Sequence, residues 1–502
     1  MPAPARVLRA AALLCGVLVP ARSAAQSSPY LPLDDPRLPL LEHLIARGDV
    51  TDPSPQVRPF RYADAVRVLA AADTTGAPSR TLIQSLRQEF DIPAGDRWHL
   101  AARGGGQAFS HIRRDVLHPL GPDGVRPYAE FTGAATMGPI VLVSRPAAEP
   151  RLPDDPEWPG RTDLELAWRM VEAYGSAQFK YGSIFYGQMD RNWGPAGITG
   201  IPISDYAYNA VEAGFDVGVE TVRLQSVART LTDERDSLGL RVHRYFFAHR
   251  LSVRPSRRLT LGLWETTVLA GEDREFDARF RNPLSLLLLA NQYGLGADGN
   301  VMFGFDGQWH ASRALTLEGQ LAIDDLSYED TGSGRYPNRW ALTLAASGPL
   351  GGRLGWRTFY TQASSLAFRT MSPFESFTDA GVGLGRNFAD MDQLSALATM
   401  PVGTRWLFTP ELTVLRQGEG EIDDPFPTAA EAGDVPQLFI GVVERTYRAA
   451  VGVSGRQGPL DLRASAGMHH VVNAEHQEGR TVNRFEGRLQ VTLGVSRGGT
   501  LR

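Results

Sequence analysis

The chain has 502 residues, 43% of them hydrophobic, with 52 glycines and a formal net charge of −5 at pH 7. This mild acidity offers no basic patch of the kind nucleic acid requires, so nothing in the composition points to that class of partner. The single cysteine, Cys15, lies in an N-terminal apolar run, and a chain that loses that run has no thiol for disulfides, cysteine–metal sites or thiol catalysis.

Arg6 and Arg9 precede apolar residues from Ala10 to Val19, and Pro20 breaks the run. Ser23-Ala24-Ala25 then supplies the small residues that a signal peptidase needs, so residues 1–25 are expected to be a signal peptide cleaved after Ala25. Leu14 before Cys15 is not the small residue that a lipoprotein signal would carry. Beyond Val19 no segment approaches the ~18 consecutive apolar residues of a membrane helix.

Residues 26–95 are expected to form a small helical domain. Asp35-Pro36 opens a helix with Leu38, Leu41, Leu44 and Ile45 on one face, and Gly48 ends it. A second helix after Arg58-Pro59 aligns Tyr62, Val66, Leu69 and Ala70, and a third aligns Leu82, Ile83, Leu86 and Phe90.

From residue 96 to 502 the hydrophobic period falls from 3.6 to 2. Val301, Phe303, Phe305 and Trp309 alternate with Asp306, Gln308 and His310. Leu315, Leu317, Leu321 and Ile323 oppose Thr316, Glu318, Gln320 and Asp324. Phe485, Leu489, Val491, Leu493 and Val495 oppose Arg484, Glu486, Arg488, Gln490 and Thr492. The spans 179–185, 340–344, 406–414 and 460–470 alternate in the same way. Many runs reach the ~9–11 residues that a tilted strand needs to cross hydrocarbon. Tight turns such as His310-Ala311-Ser312-Arg313 and Pro255-Ser256-Arg257 alternate with polar links at 145–162, 231–240, 270–298, 325–337 and 418–436. The pattern predicts an antiparallel outer-membrane β-barrel of about 18 strands, apolar outside and polar within, facing outer-membrane lipid and inserted by the barrel-assembly machinery. A soluble sandwich or propeller would also alternate, but no repeat of blade length is present. The chain runs past Val495 to Leu501-Arg502, without the terminal aromatic residue common in such barrels.

The stretch Tyr186-Gly187-Gln188-Met189-Asp190-Arg191-Asn192-Trp193-Gly194-Pro195-Ala196-Gly197 resembles the Wzi capsule-assembly family, in which a strand ends in a loop containing Trp-Gly-Pro-Gly. Ala196 stands where that pattern has its last glycine. Ile203-Ser204-Asp205-Tyr206-Ala207, His249-Arg250-Leu251, Gly304-Phe305-Asp306 and Ala322-Ile323-Asp324-Asp325 follow in family-like order, and Leu33-Asp34-Asp35 with Arg58-Pro59 resembles its helical start. The resemblance implies a non-catalytic barrel, with a periplasmic helical domain, that helps attach a capsule-like surface polysaccharide. The spacing of Leu41, Gly48, Val50, Arg58-Pro59 and Arg61 is also similar to one S-layer homology unit, a module that binds cell-wall polymers in several copies.

Candidate glycan-binding residues are Asp190, Arg191, Trp193, Gly194 and Pro195. Gly187, Gly194 and Gly197 permit a tight inward fold, and the Trp193 ring offers a flat face to a sugar, unless it joins the aromatic girdle facing lipid. Glu318, Asp324, Arg353, Arg357, Arg484, Glu486 and Arg488 are expected to form a lumen charge network, in which paired charges fill the bore. An open porin or substrate-specific channel is the competing reading, its lumen lined by water. Long loops at 145–162, 270–298 and 418–436 are expected to form an outer face, where Glu419, Glu421, Asp423 and Asp424 repel or cation-bridge an anionic glycan.

No cofactor, metal or catalytic centre is expected. His469, His470, Glu475 and His476 lack zinc-motif spacing and are expected to be a loop-exposed polar cluster. His249 and Ser252 invite comparison with barrel phospholipases, but on a strand they face opposite sides. Gly381-x-Gly383-x-Gly385 is read as close packing, and Asp324-Asp325 as a turn cap.

Overall fold

The computed structural model describes residues 27–90, 95–110, 123–272, 274, 299–327 and 331–501. The expected leader and nearly all of the 270–298 loop lie outside them.

Three helices come first: α1 (Leu38–Ala46), α2 (Tyr62–Ala71) and α3 (Arg80–Glu89). At nine or ten residues, none would persist alone in water. A shared core holds them, since Leu41, Leu44, Leu69, Leu82, Ile83, Leu86 and Phe90 are fully buried together. Each such side chain contributes roughly 1.5–3 kcal/mol. Gly48 adopts a φ of 76°, a left-handed conformation that terminates α1 as its position in the sequence predicts.

Eighteen barrel strands follow among the described residues. The first nine are β1 (Arg97–Phe109), β2 (Gly124–Met137), β3 (Ile140–Ala148), β4 (Trp168–Phe179), β5 (Gly182–Gln188), β6 (Glu212–Gly218), β7 (Val222–Thr230), β8 (Arg241–Ser256) and β9 (Leu259–Gly271). The second nine are β10 (Asn300–Ser312), β11 (Leu315–Asp325), β12 (Arg339–Gly351), β13 (Leu354–Ala363), β14 (Met391–Val402), β15 (Trp406–Gln417), β16 (Glu444–Gln457), β17 (Leu460–Val472) and β18 (Thr481–Thr500). Each pairs antiparallel with the next, and β18 pairs back along the whole of β1, from Arg97 opposite Thr500 to Phe109 opposite Arg488. The sheet is therefore a closed barrel with no free edge.

Alternation decides which face meets lipid. Leu344 is 52% exposed on the outside, whereas Thr343 beside it is fully buried inside. Phe305 and Asp306 divide in the same way on β10. The span 179–185 is not one strand, because Lys180 and Tyr181 form the turn between β4 and β5.

The tight hairpin turns all lie at one end of the barrel, and the helices cap that end. His43 Nδ1 is 2.7 Å from Thr399 Oγ1, Arg47 donates to the Leu354 carbonyl and, at 2.9 Å, to that of Gly352. Leu407 of β15 packs into the helical core.

Candidate functional site

Two long connections from the opposite end turn inward. Residues 189–211, between β5 and β6, bring Trp193 into an apolar cluster with Ile201, Ile203, Phe246, Trp264 and Leu384. Residues 364–390 supply Phe368 and Phe377 to the same cluster. Ser204 ties the two connections together, its hydroxyl donating to the Gly385 carbonyl at 2.6 Å and its N–H to the Leu384 carbonyl at 3.0 Å. Val57, from the segment between α1 and α2, joins the cluster from the capped end. One side of the lumen is thus packed like a protein core.

Trp193 is 1% exposed, so its ring offers no face to a sugar or to lipid. Its carbonyl accepts the Gln320 side-chain amide at 2.8 Å, and its N–H donates to the Ile203 carbonyl at 2.9 Å. At Gly194 an added Cβ would stand 2.7 Å from Gly200 Cα, so the loop folds back too closely for a larger residue. The Pro195 carbonyl accepts the Ile198 N–H at 3.0 Å. Arg191 pairs with Glu212, which also takes Arg229 at 3.1 Å, and its guanidinium lies 4.7 Å from the Phe185 ring centre. Asp190 lines a cavity, and burial, opposed by Arg169, pushes its carboxyl up to about 7.

The expected charge network divides. Glu318 accepts the Gln308 amide at 3.2 Å and Asp324 accepts the Phe368 N–H at 3.0 Å, both inside the barrel. Arg357 donates to the Ala196 carbonyl of the inward loop. Arg353 belongs elsewhere: it sits on the turn between β12 and β13 and donates to the Gly403 carbonyl of the adjacent turn. Glu486 lies 3.5 Å from His469, whereas Arg484 and Arg488 have no ion-pair partner among the described residues. His469 is accordingly a buried inward residue of β17 and not part of a loop cluster, while His470 faces out toward Asn483. His249 contacts Glu265 at 3.3 Å and the Ser252 hydroxyl contacts the Arg223 carbonyl, so no hydrolytic pair forms.

Stronger pairs stand elsewhere in the lumen. Arg250 grips Asp306 with two bonds of 2.6 and 2.7 Å. Arg145 of β3 gathers Glu130 at 2.9 Å, Glu172 at 3.2 Å and Asp34 at 2.8 Å. Asp34 precedes α1 and reaches into the lumen. Burial alone would raise its pKa, but the Arg145 guanidinium outweighs that and holds it below the usual carboxylate range. Inward parity on the strands could have nominated Arg250 and Asp306, although not their partners, whereas Arg145 fell in the expected 145–162 link and is on a strand because β3 runs on to Ala148.

The other side of the lumen is open space. A cavity of about 920 Å³ lies toward the capped end, and one of about 530 Å³ lies toward the long loops. Asp34 lines both, standing between them. The second cavity exists because β16 and β17 present Gly452, Ser454 and Ser465 inward. Around it stand Arg151, Arg169, Arg448, Arg463, Arg488, Asp190, Asp205, Tyr206 and Tyr208. The Tyr208 hydroxyl donates to Asp155 at 2.7 Å, and the Trp158 ring meets its edge at 4.9 Å between centroids.

No family model matches the chain, and no curated protein does. Among solved structures, it is similar to Wzi of Escherichia coli, an outer-membrane protein involved in group 1 capsule assembly and described as a carbohydrate-binding β-barrel. That match has a TM-score of 0.61 at 13% identity, over 93% of this chain and 99% of that one. OprD of Pseudomonas aeruginosa matches with a TM-score of 0.44 at 11% identity, over 80% of this chain and 95% of that one. With its lipid-facing apolar belt and unbroken ring of strands, the chain is an 18-stranded β-barrel of the outer-membrane type.

Proposed function

We propose that this barrel binds a surface polysaccharide without catalysis and helps to hold it at the cell surface. The observation that carries the reading is the unequal filling of the lumen. Residues 189–211 and 364–390 close one side with a packed core, which suits a scaffold, while the 530 Å³ cavity is left unfilled by the described residues. A volume of that order accommodates a small ligand or a short saccharide. Its lining combines tyrosines, carboxylates and guanidiniums, groups that together contact ring faces, hydroxyls and acidic substituents. The similarity to Wzi supports the same reading. In this proposal the leader at residues 1–25 exports the chain, the barrel-assembly machinery inserts it, and residues 26–95 form a domain on the periplasmic side. The binding residues shift from Trp193 to the cavity wall, with Asp190 the one member of the expected set that lines it.

The test is binding of the organism's own surface polysaccharide to purified, refolded protein, with planar-bilayer conductance measured in parallel. Saturable binding with silent bilayers is the expected result. Steady open channels without binding would overturn the reading in favour of a porin.

A further inference from the structure

Most charges facing the 530 Å³ cavity are neutralised where they stand. Arg151 pairs with Glu149 at 2.9 Å and Asp155 at 2.8 Å, and Arg169 with Glu149 at 2.5 Å. Arg448 of β16 pairs with Glu411 at 3.3 Å. Arg463 of β17 and Arg488 of β18 are different. Neither has an oppositely charged group within 4 Å among the described residues, and Arg463 Nη2 is buried without a hydrogen-bond partner. The two strands are adjacent, with Arg463 opposite Gln490 and Ser465 opposite Arg488, so both guanidiniums rise from one patch of wall. Asp190 and Asp205, likewise without an ion-pair partner among the described residues, stand on the inward loop that forms another part of the lining.

Two unpaired guanidiniums on neighbouring strands repel each other, and the buried Arg463 Nη2, left without an acceptor, costs free energy that a bound anion would relieve. The planar fork of arginine matches a carboxylate with two parallel hydrogen bonds. Carboxylates across the space are acceptors for sugar hydroxyls. We infer that the cavity is a subsite for a carboxylate-bearing saccharide, its acid group held by Arg463 and Arg488 and its hydroxyls by Asp190 and Asp205. The inference rests on the polysaccharide-binding reading and adds the charge class of the sugar.

The test uses the full barrel in detergent micelles and two probes: short oligogalacturonates and the same oligosaccharides with their carboxyl groups reduced to alcohols. Wild-type protein is expected to bind the acidic probe at least about tenfold more tightly, the scale of a charge-assisted hydrogen-bond pair. Arg463→Gln or Arg488→Gln should remove that preference, bringing the affinities for the two probes together. Arg353→Gln, on the distant turn, should leave it intact, and retained heat-modifiable gel mobility would show that each variant is folded. Equal affinity for both probes, or an undiminished preference in the folded Gln variants, would overturn the acidic subsite while leaving polysaccharide binding standing. Failure of either probe and of the native polysaccharide to bind would overturn both.

Discussion

Arg58 and Asn192 exchange both of their backbone hydrogen bonds, Arg58 N–H to the Asn192 carbonyl at 2.8 Å and Asn192 N–H to the Arg58 carbonyl at 3.0 Å. One residue belongs to the helical cap and the other to a loop descending from the opposite end of the barrel. This two-bond ladder joins the cap to the packed half of the lumen, so changes in either should be felt in the other.

The Arg58 side chain anchors that ladder. It pairs with Glu42 at 2.6 Å and with fully buried Asp52 at 3.0 Å. Arg58→Ala strands the Asp52 carboxylate, a loss of roughly 3–5 kcal/mol for a buried pair. Limited proteolysis of micelle-bound protein should then cut between α1 and α2 while the barrel resists. An unchanged digestion pattern would count against the anchoring role.

Trp193→Ala removes the largest side chain of the inward loop from a closed core. A cost of roughly 3–5 kcal/mol follows from the cavity left behind. The variant should show a lower urea midpoint and, because the packed half loosens, channel noise absent from the parent. A stable and silent variant would mean that the loop is held by its backbone bonds alone.

His43 sets a pH dependence for the docking of α1. Burial, reinforced by the Arg47 charge, lowers its pKa from 6.5 to about 4. The detached cap would therefore bind a proton that the docked cap refuses. Docking is fully stable above about pH 6.5, weakens as the pH falls toward 4, and loses nothing more below that, a span of up to about 3 kcal/mol. Amide exchange in α1 should quicken over this window, and His43→Gln should abolish the change.

The lipid face has its own signature. Leu412, 65% exposed near the middle of β15, points away from the lumen. Leu412→Arg should cost ~2–4 kcal/mol near the bilayer midplane, whereas Leu412→Val should be nearly neutral. Folding into vesicles followed by urea titration reads the difference, and a tolerated arginine would mean that this belt does not meet hydrocarbon.

The barrel was legible in the sequence because a period of two, sustained over long strands, leaves few other solutions. Phe485, Leu489 and Leu493 announced their lipid face, and Glu486 its inward one. The three helices were legible as elements, and Gly48 as the end of α1, but α2 buries Ala65, Val68 and Leu69, whereas Val66 and Ala70 of its expected stripe are exposed. The fate of Trp193 was not, because a ring beside Asp190 and Arg191 reads as exposed until residues 364–390, far along the chain, fold over to bury it. Arg353 was misplaced for a simpler reason: a strand parity extended into the Gly351–Leu354 turn no longer reports direction. The pairing of Arg145 with Asp34 depends on a contact between the helical segment and the wall, which no local pattern encodes.

The seam between β18 and β1 has a consequence for the order of events. Nearly the whole chain separates its two partners, so β1 has one side unpaired until the final strand is in place. Contacts of such long range form slowly. The inward loops and the cap segment must find their places in a wall that is still open or only just shut, and the ring then fastens around them. Once fastened, the filling leaves only by breaking bonds along the core or along the seam, so the persistence of the assembled state is governed by an escape rate as much as by an equilibrium.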